Sequence, residues 1–404
     1  MSERLPKWNI GPKYELVRKV GKGTYGSVFE ARDTTIGEKI AIKNVKSIFE
    51  DEIEAKHMLR EICIMRTLDH PNIVKIKDII IPVNSDSYNN VYIAMEYAEA
   101  DLKKLCKSPT YLDHSQVRFL MYQAICGCRY MHSANIMHRD IKPANILINS
   151  NCSLKICDFG LSRSYRRLNF EEGVENSKRE QWDHCVEDDP NQRAKKGISR
   201  ILTGHVVTRW YRAPEVILME REYGKEMDVW SLGCVFAEML GMIRENIPQY
   251  VERTPLFPGK SCFPLSPDLS TNEMKAGYPC SEYDQLSLIF QIVGTNQDLT
   301  FITDPKAKRY VEAFPPTPPK DLRDNFPAIT SSELDLLKKM LSFNPRKRIT
   351  LDQALNHPYF FPVRDNNYEI LAKAPADFVF DGEQEVDLFT LREIFRREVS
   401  RYRN

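Results

Sequence analysis

Two carboxylates, a lysine, an asparagine and a histidine crowd into residues 137–160, MHRDIKPANILINSNCSLKICDFG. Asp140 follows His138 and Arg139, Lys142 and Asn145 come soon after, and Asp158 opens Asp158-Phe159-Gly160. This set suits phosphoryl transfer. A hydroxyl nucleophile needs a carboxylate to orient it and accept its proton, and Asp140 is placed for that work. Nucleotide phosphates need Mg2+, a hard cation that takes oxygen ligands, here Asp158 and the Asn145 side chain. Lys142 can set positive charge on the transferring group.

Such groups need rigid backbone behind them. Ile146-Leu147-Ile148 and Leu154-Lys155-Ile156-Cys157 read as two short strands. The hairpin they imply would bring Asp140, Asn145 and Asp158 to one edge. Upstream, Tyr14 to Lys43 reads as three antiparallel strands: Tyr14-Glu15-Leu16-Val17, Ser27-Val28-Phe29-Glu30-Ala31 and Ile40-Ala41-Ile42-Lys43. Gly21-Lys22-Gly23-Thr24-Tyr25-Gly26 lies between the first two, where glycines let backbone approach phosphates without a Cβ clash. A GxGxxG alone also marks dinucleotide folds, but those place it at a strand-to-helix turn. Lys56 to Leu68 has helical composition, with Glu61 facing inward toward Lys43 and Met65 one turn later. Asp69-His70-Pro71-Asn72 stops that helix. Val91-Tyr92-Ile93-Ala94 is a buried strand feeding Met95-Glu96-Tyr97-Ala98. Beyond Asp101 the chain turns mainly helical. His114 to Met131 is an amphipathic pillar, and helices resume at Tyr283, Ser331 and Thr350.

Taken together, these motifs resemble the eukaryotic protein kinases from about Tyr14 to Tyr402. The resemblance implies an α+β, two-lobed fold, with a small antiparallel β-sheet lobe and a larger, mainly helical one. It implies ATP and Mg2+ as cofactors. Lys43, paired with Glu61, would reach the α- and β-phosphates, beside the catalytic Asp140 and Lys142. Nucleotide would lie against Val20, Gly21, Lys22, Gly23, Gly26, Val28, Ala41 and Leu147. Glu96 and Ala98 would bond adenine, Met95 would guard the back pocket, and Asp101 would meet the ribose. Asn145 and Asp158 would hold the metal. Glu215 would pair with Arg348, and Asp228 would hold the catalytic-loop backbone. Cys157, next to Asp158, would present a thiol open to alkylation if its pKa allowed.

Thr208-Arg209-Trp210-Tyr211-Arg212-Ala213-Pro214-Glu215 and Pro255-Leu256-Phe257-Pro258-Gly259 resemble the CMGC group, which holds MAP kinases and cyclin-dependent kinases. Arg212 matches the arginine that shapes the backbone at the substrate site in this group, which implies Ser/Thr-Pro substrates. Asp377-Phe378-Val379-Phe380-Asp381 and an amphipathic helix from Leu388 to Arg401 resemble the MAP kinase extension that wraps back on the small lobe. The chain thus resembles an atypical, protozoan-type MAP kinase. A cyclin-dependent type and a nucleotide-binding pseudokinase scaffold are the alternatives. Thr203-Gly204-His205 stands where Thr-x-Tyr is usual, so activation is expected at Thr203 alone, by an upstream kinase or by autophosphorylation. Arg60, Arg139 and Arg163 match the set that binds such a phosphate. Thr24 and Tyr25 sit where cyclin-dependent kinases carry inhibitory phosphates. The acidic docking patch after His357-Pro358 is thin: Asp365 and Glu369 remain, with Arg364 beside them.

The expected organisation is an N-terminal extension (1–13), a small lobe (14–97), a large lobe (98–360) and a C-terminal extension (361–404). The large lobe carries a charged activation-segment insertion (168–197) and a MAP-kinase-type insert (242–281). Length 404, a hydrophobic fraction of 42% and a charged fraction of 28% are ordinary for globular proteins. Net charge +1 gives no drive toward nucleic acid or membrane. No apolar run is long enough for a membrane span. The N-terminal stretch lacks a signal-peptide core and has no glycine at position 2, so neither secretion nor N-myristoylation is expected. The 10 scattered cysteines read as reduced thiols of a cytoplasmic or nuclear protein.

Overall fold

The computed structural model describes residues 5–23, 26–81, 90–164, 209–220, 223–262, 283–376 and 387–402. Five strands, β1 (Tyr14–Gly23), β2 (Gly26–Asp33), β3 (Lys39–Val45), β4 (Ile76–Ile80) and β5 (Val91–Glu96), form an antiparallel sheet in the order β1-β2-β3-β5-β4. β3 lies in the middle, with a partner along each edge, and residues 40–45 are all buried, Lys43 and Asn44 among them. Trp8 edges onto Phe29 and tilts over Tyr92, with ring centroids 4.7 and 5.3 Å away, so the N-terminal residues cover part of the sheet.

α1 (Glu52–Thr67) packs against this sheet. It begins four residues before the expected Lys56, because the Asp51 carboxylate caps the Ile53 and Glu54 amides. Glu52 and Glu54 then complement the positive helix end.

The helical lobe is built on α3 (His114–Ser133) and on the apolar α5 (Glu226–Leu240). Between α1 and these come β6 (Ala100–Asp101), α2 (Leu102–Cys106), β7 (Ile136–Met137), β8 (Ile146–Ile148), β9 (Leu154–Ile156), β10 (Arg163–Ser164) and α4 (Pro214–Ile217). An Asp113/Gln116 capping box starts α3. Beyond α5 follow α6 (Gln285–Val293), α7 (Pro305–Glu312), α8 (Ser331–Met340) and α9 (Leu351–Leu355). Arg348 donates to both Glu215 oxygens, at 2.6 and 2.9 Å, in a pair closed off from solvent.

Residues 364–376 run as a strap along α3. Tyr368 O accepts from His70 Nε2 at 2.9 Å, the Ala372 amide donates to Ser133 Oγ, and the Ala376 amide donates to Ala134 O. The last described helix, α10 (Leu388–Ser400), packs on α1. Phe395 meets Phe49 edge-on at 5.8 Å, Arg392 stacks over the same ring, and Glu398 pairs with Arg66 at 2.7 Å. Full burial of a ring such as Phe395 stabilises by about 1.5–3 kcal/mol.

Candidate active site

The catalytic stretch folds as its sequence implies. β8 and β9 pair antiparallel, with Ile146 opposite Ile156 and Ile148 opposite Leu154. These four side chains are buried. Gln123 on α3 accepts from the Leu154 amide and donates to Cys152 O, so the pillar grips the hairpin. A single tight turn at Pro143–Asn145 then folds Asn145 back on Asp140. Asn145 Nδ2 donates to Asp140 O at 2.9 Å and to its Oδ2 at 3.0 Å. Lys142 Nζ reaches the same Oδ2 at 2.6 Å. Burial pushes the Asp140 carboxyl up, against the pull of Lys142.

Three non-glycine residues of this stretch hold left-handed backbone: Arg139 at φ +69°, Cys152 at φ +61° and Asp158 at φ +68°. Each such residue costs about 1–2 kcal/mol. Asp228 on α5 holds the first in place. Its two oxygens accept from the His138 and Arg139 amides, both at 2.9 Å. His132 Nε2 reaches it at the same distance. Burial alone would raise this carboxyl, but His132 and the amides outweigh it and hold it low. His138 in turn donates from Nε2 to Cys157 O and accepts the Asp140 amide at Nδ1, tying the loop to the end of β9.

Across the cleft, Lys43 on β3 donates to both oxygens of Glu61 on α1, at 2.7 and 3.0 Å. Both residues are buried. Burial pushes the Glu61 carboxyl up; Lys43 opposes this, and the nearby Asp158 charge adds to it. The Asp158 charge bears on Asp140 as well. Phe159 behind it is fully buried, its ring centroid 5.4 Å from that of His138.

The expected nucleotide residues line up on the strands. Val28 is paired with Lys43, and Ala41 with Met95. Leu147 on β8 faces Asp101 on β6. Val20 and Gly21 lie on β1, and Lys22 and Gly23 end it. Gly26 opens β2, where an added Cβ would fall 1.8 Å from Asn44 O, so no side chain fits. Glu96 ends β5, its carboxylate accepting the Lys75 amide and Lys155 Nζ, and Ala98 follows.

Asp101 has a further task that its sequence position does not reveal: it caps α2 by accepting the Lys104 amide at 2.8 Å. Lys104 Nζ lies 3.2 Å from that carboxylate and donates to Val20 O, crossing from the large lobe to the start of the glycine turn. The Cys157 thiol is only partly covered, but burial of its sulfur and the adjacent Asp158 charge push it up. A raised thiol disfavours the thiolate, which weighs against alkylation at this position.

Arg60, Arg139 and Arg163 come from α1, the catalytic loop and β10. The Arg139 guanidinium donates to Tyr223 Oη at 2.8 Å, a partner the sequence did not signal. Thr24, Tyr25, Thr203 and His205 lie outside the described residues, as do 168–197, 263–282 and Asp377 to Asp381. Just ahead of α4, Tyr211 Oη donates to Glu238 at 2.6 Å. Of the expected acidic patch, Glu369 is already engaged, accepting from Arg364 at 2.6 and 2.8 Å and from Tyr122 Oη at 2.9 Å.

Residues 14–248 match the model of the protein kinase domain. This chain belongs to the protein kinase family. Within the family its relatives are MAP kinases. It is 38% identical over 360 residues to mitogen-activated protein kinase 3 of Oryza sativa subsp. japonica, covering 89% of this chain and 81% of that one. Mitogen-activated protein kinase 4 of the same plant is 36% identical over 397 residues, covering 98% and 90%. Mitogen-activated protein kinase 7 of Arabidopsis thaliana is 34% identical over 397 residues, covering 98% and 91%. The kinase is therefore a serine/threonine protein kinase of MAP kinase type. Among the described residues, no helix of this kinase is long and apolar enough to cross a membrane.

Proposed function

We propose that this kinase transfers the γ-phosphoryl group of ATP to Ser/Thr-Pro sites of protein substrates, and that phosphorylation of Thr203 activates it. The observations that carry the reading are the cluster of Asp140, Lys142 and Asn145, the buried Lys43–Glu61 pair, and Asp158, whose charge bears on both Asp140 and Glu61. Asp140 orients the acceptor hydroxyl and takes its proton at Oδ. Lys142, already on Asp140, places positive charge at the transferring group. Lys43, held by Glu61, positions the α- and β-phosphates. Asn145 spends its Nδ2 on Asp140, so its Oδ1 is the atom left for a cation, which suits a hard metal shared with the Asp158 carboxylate. Bound Mg2+ would neutralise charge on the phosphates. Arg60, Arg139 and Arg163, from three elements, would receive the Thr203 phosphate and couple α1 to the catalytic loop.

Asp140→Asn tests the assignment. It removes the base and leaves the phosphate site, so kcat on a Ser-Pro peptide should fall about 100-fold or more while nucleotide affinity holds. A variant keeping more than about a tenth of wild-type kcat would show that Asp140 is not the base.

A further inference from the structure

Two adjoining residues of the linker after β5 are anchored to different elements. The Glu96 carboxylate accepts the Lys75 amide and Lys155 Nζ, both at 3.0 Å, and Lys155 lies on β9. Tyr97 reaches the five-stranded sheet instead. Its Oη donates to Glu30 Oε2 at 3.1 Å and accepts from Arg18 Nη2 at 3.0 Å. Arg18 Nε lies 2.8 Å from the same Glu30 oxygen, and Lys39 Nζ lies 3.4 Å from the other. Lys39 Nζ also sits 5.7 Å from the centroid of the Tyr97 ring. Arg18, Glu30 and Lys39 come from β1, β2 and β3, so one phenol is joined to three strands. The strand register places this cluster. Glu30 stands two residues beyond Val28 and pairs with Ala41 on β3 and with Arg18 on β1, so it shares the face of the expected nucleotide residues Val28 and Ala41. Burial would raise the Glu30 carboxyl, but the Tyr97 hydroxyl, Arg18 and Lys39 outweigh it and hold it low, which makes it an ionised acceptor for the phenol.

We propose that Tyr97, held by Glu30 and Arg18, is a positioning residue that sets nucleotide affinity by fixing the linker backbone on which adenine is read. This rests on the nucleotide site proposed above, in which the backbone groups of Glu96 and Ala98, on either side of Tyr97, bond the base. A linker without that anchor has more conformers, and binding must then pay to order it. Arg18 lies three residues ahead of Gly21 on β1, so the same phenol joins the linker to the strand that leads into the glycine turn. Tyr97→Phe removes one oxygen and keeps the ring. Glu30 retains Arg18 and Lys39, so no buried charge is left unpaired.

The test is calorimetric titration of ADP, in Mg2+ buffer, into wild type, Tyr97→Phe and Glu30→Gln, with KM for ATP, KM for peptide and kcat measured beside it. Tyr97→Phe should weaken ADP about three- to ten-fold, the net scale of one hydrogen bond, and raise KM for ATP in step. Peptide KM and kcat at saturating ATP should stay within about two-fold, since Tyr97 touches no reacting atom. Glu30→Gln keeps an acceptor for the phenol and should fall between wild type and Tyr97→Phe. Exchange of the 97 and 98 amides should quicken in Tyr97→Phe without ligand. Equal ADP affinity in wild type and Tyr97→Phe overturns the inference. So does a loss that appears equally in kcat and peptide KM, which marks general damage rather than a placed linker. A wild type that binds no ADP overturns the nucleotide site itself, which keeps the two failures apart.

Discussion

Glu238→Gln should change how the stability of the kinase depends on pH. Glu238 sits on α5 and accepts the Tyr211 hydroxyl at 2.6 Å. Burial pushes its carboxyl up from 4.5 to about 7, against the Tyr211 bond and the charges of Lys103 and Lys107. Folding thus favours the protonated form. The stability this contributes is full below the unfolded value of 4.5 and is lost as pH rises through about 7. The two states differ in proton affinity by about 2.5 decades, or ~3 kcal/mol, of which ~2.5 kcal/mol falls between about pH 5 and pH 8.5. Glutamine keeps an oxygen for Tyr211 and has no proton to lose. Urea denaturation of both proteins across this range is the assay. The variant should gain on wild type as pH rises, by about 2 kcal/mol at the alkaline end. A difference that stays constant with pH would show that Glu238 is ionised at its ordinary value, and the burial argument would be refuted.

Two other perturbations test the framework. Arg348→Ala leaves Glu215 charged and buried, so it should cost about 3–5 kcal/mol in denaturant melts, and Glu215→Leu with Arg348→Met should recover much of that loss. Phe395→Ala should cost about 3–5 kcal/mol if α10 unfolds with the rest of the chain. If α10 detaches first, hydrogen exchange in 388–400 should instead rise ahead of α1, and either result is read by mass spectrometry.

The sequence displayed those parts whose chemistry is local. Asp140, Lys142 and Asn145 are close in the chain, and the short apolar runs on either side of residues 149–153 leave little besides a hairpin. The Lys43–Glu61 pair is less local, but a strand lysine followed by a helix glutamate has few ways to be buried other than together. What stayed hidden were contacts between distant residues of ordinary type. Nothing near Asp101 says that it caps α2, because capping depends on where the helix starts. How far Cys157 is covered could not be read from its place beside Asp158, because its surroundings come from the fold. Tyr223 on Arg139, Tyr211 on Glu238 and Tyr97 on Glu30 are pairs that no spacing rule connects. The Glu369 carboxylate read as a docking acid, but a neighbouring arginine and a tyrosine from α3 already occupy it.

The return of α10 to α1 has a consequence for control. α10 belongs to the same chain as α1, so their encounter is unimolecular. An intramolecular contact acts at an effective concentration on the order of millimolar. Dilution cannot empty the Phe49 surface, and a separate protein arriving at micromolar levels would compete at a disadvantage of roughly a thousandfold. A kinase that borrows this contact from a second subunit can be switched by the supply of that subunit. Here the helix is part of the same chain, so cover of the Phe49 ring by Phe395 does not depend on protein concentration.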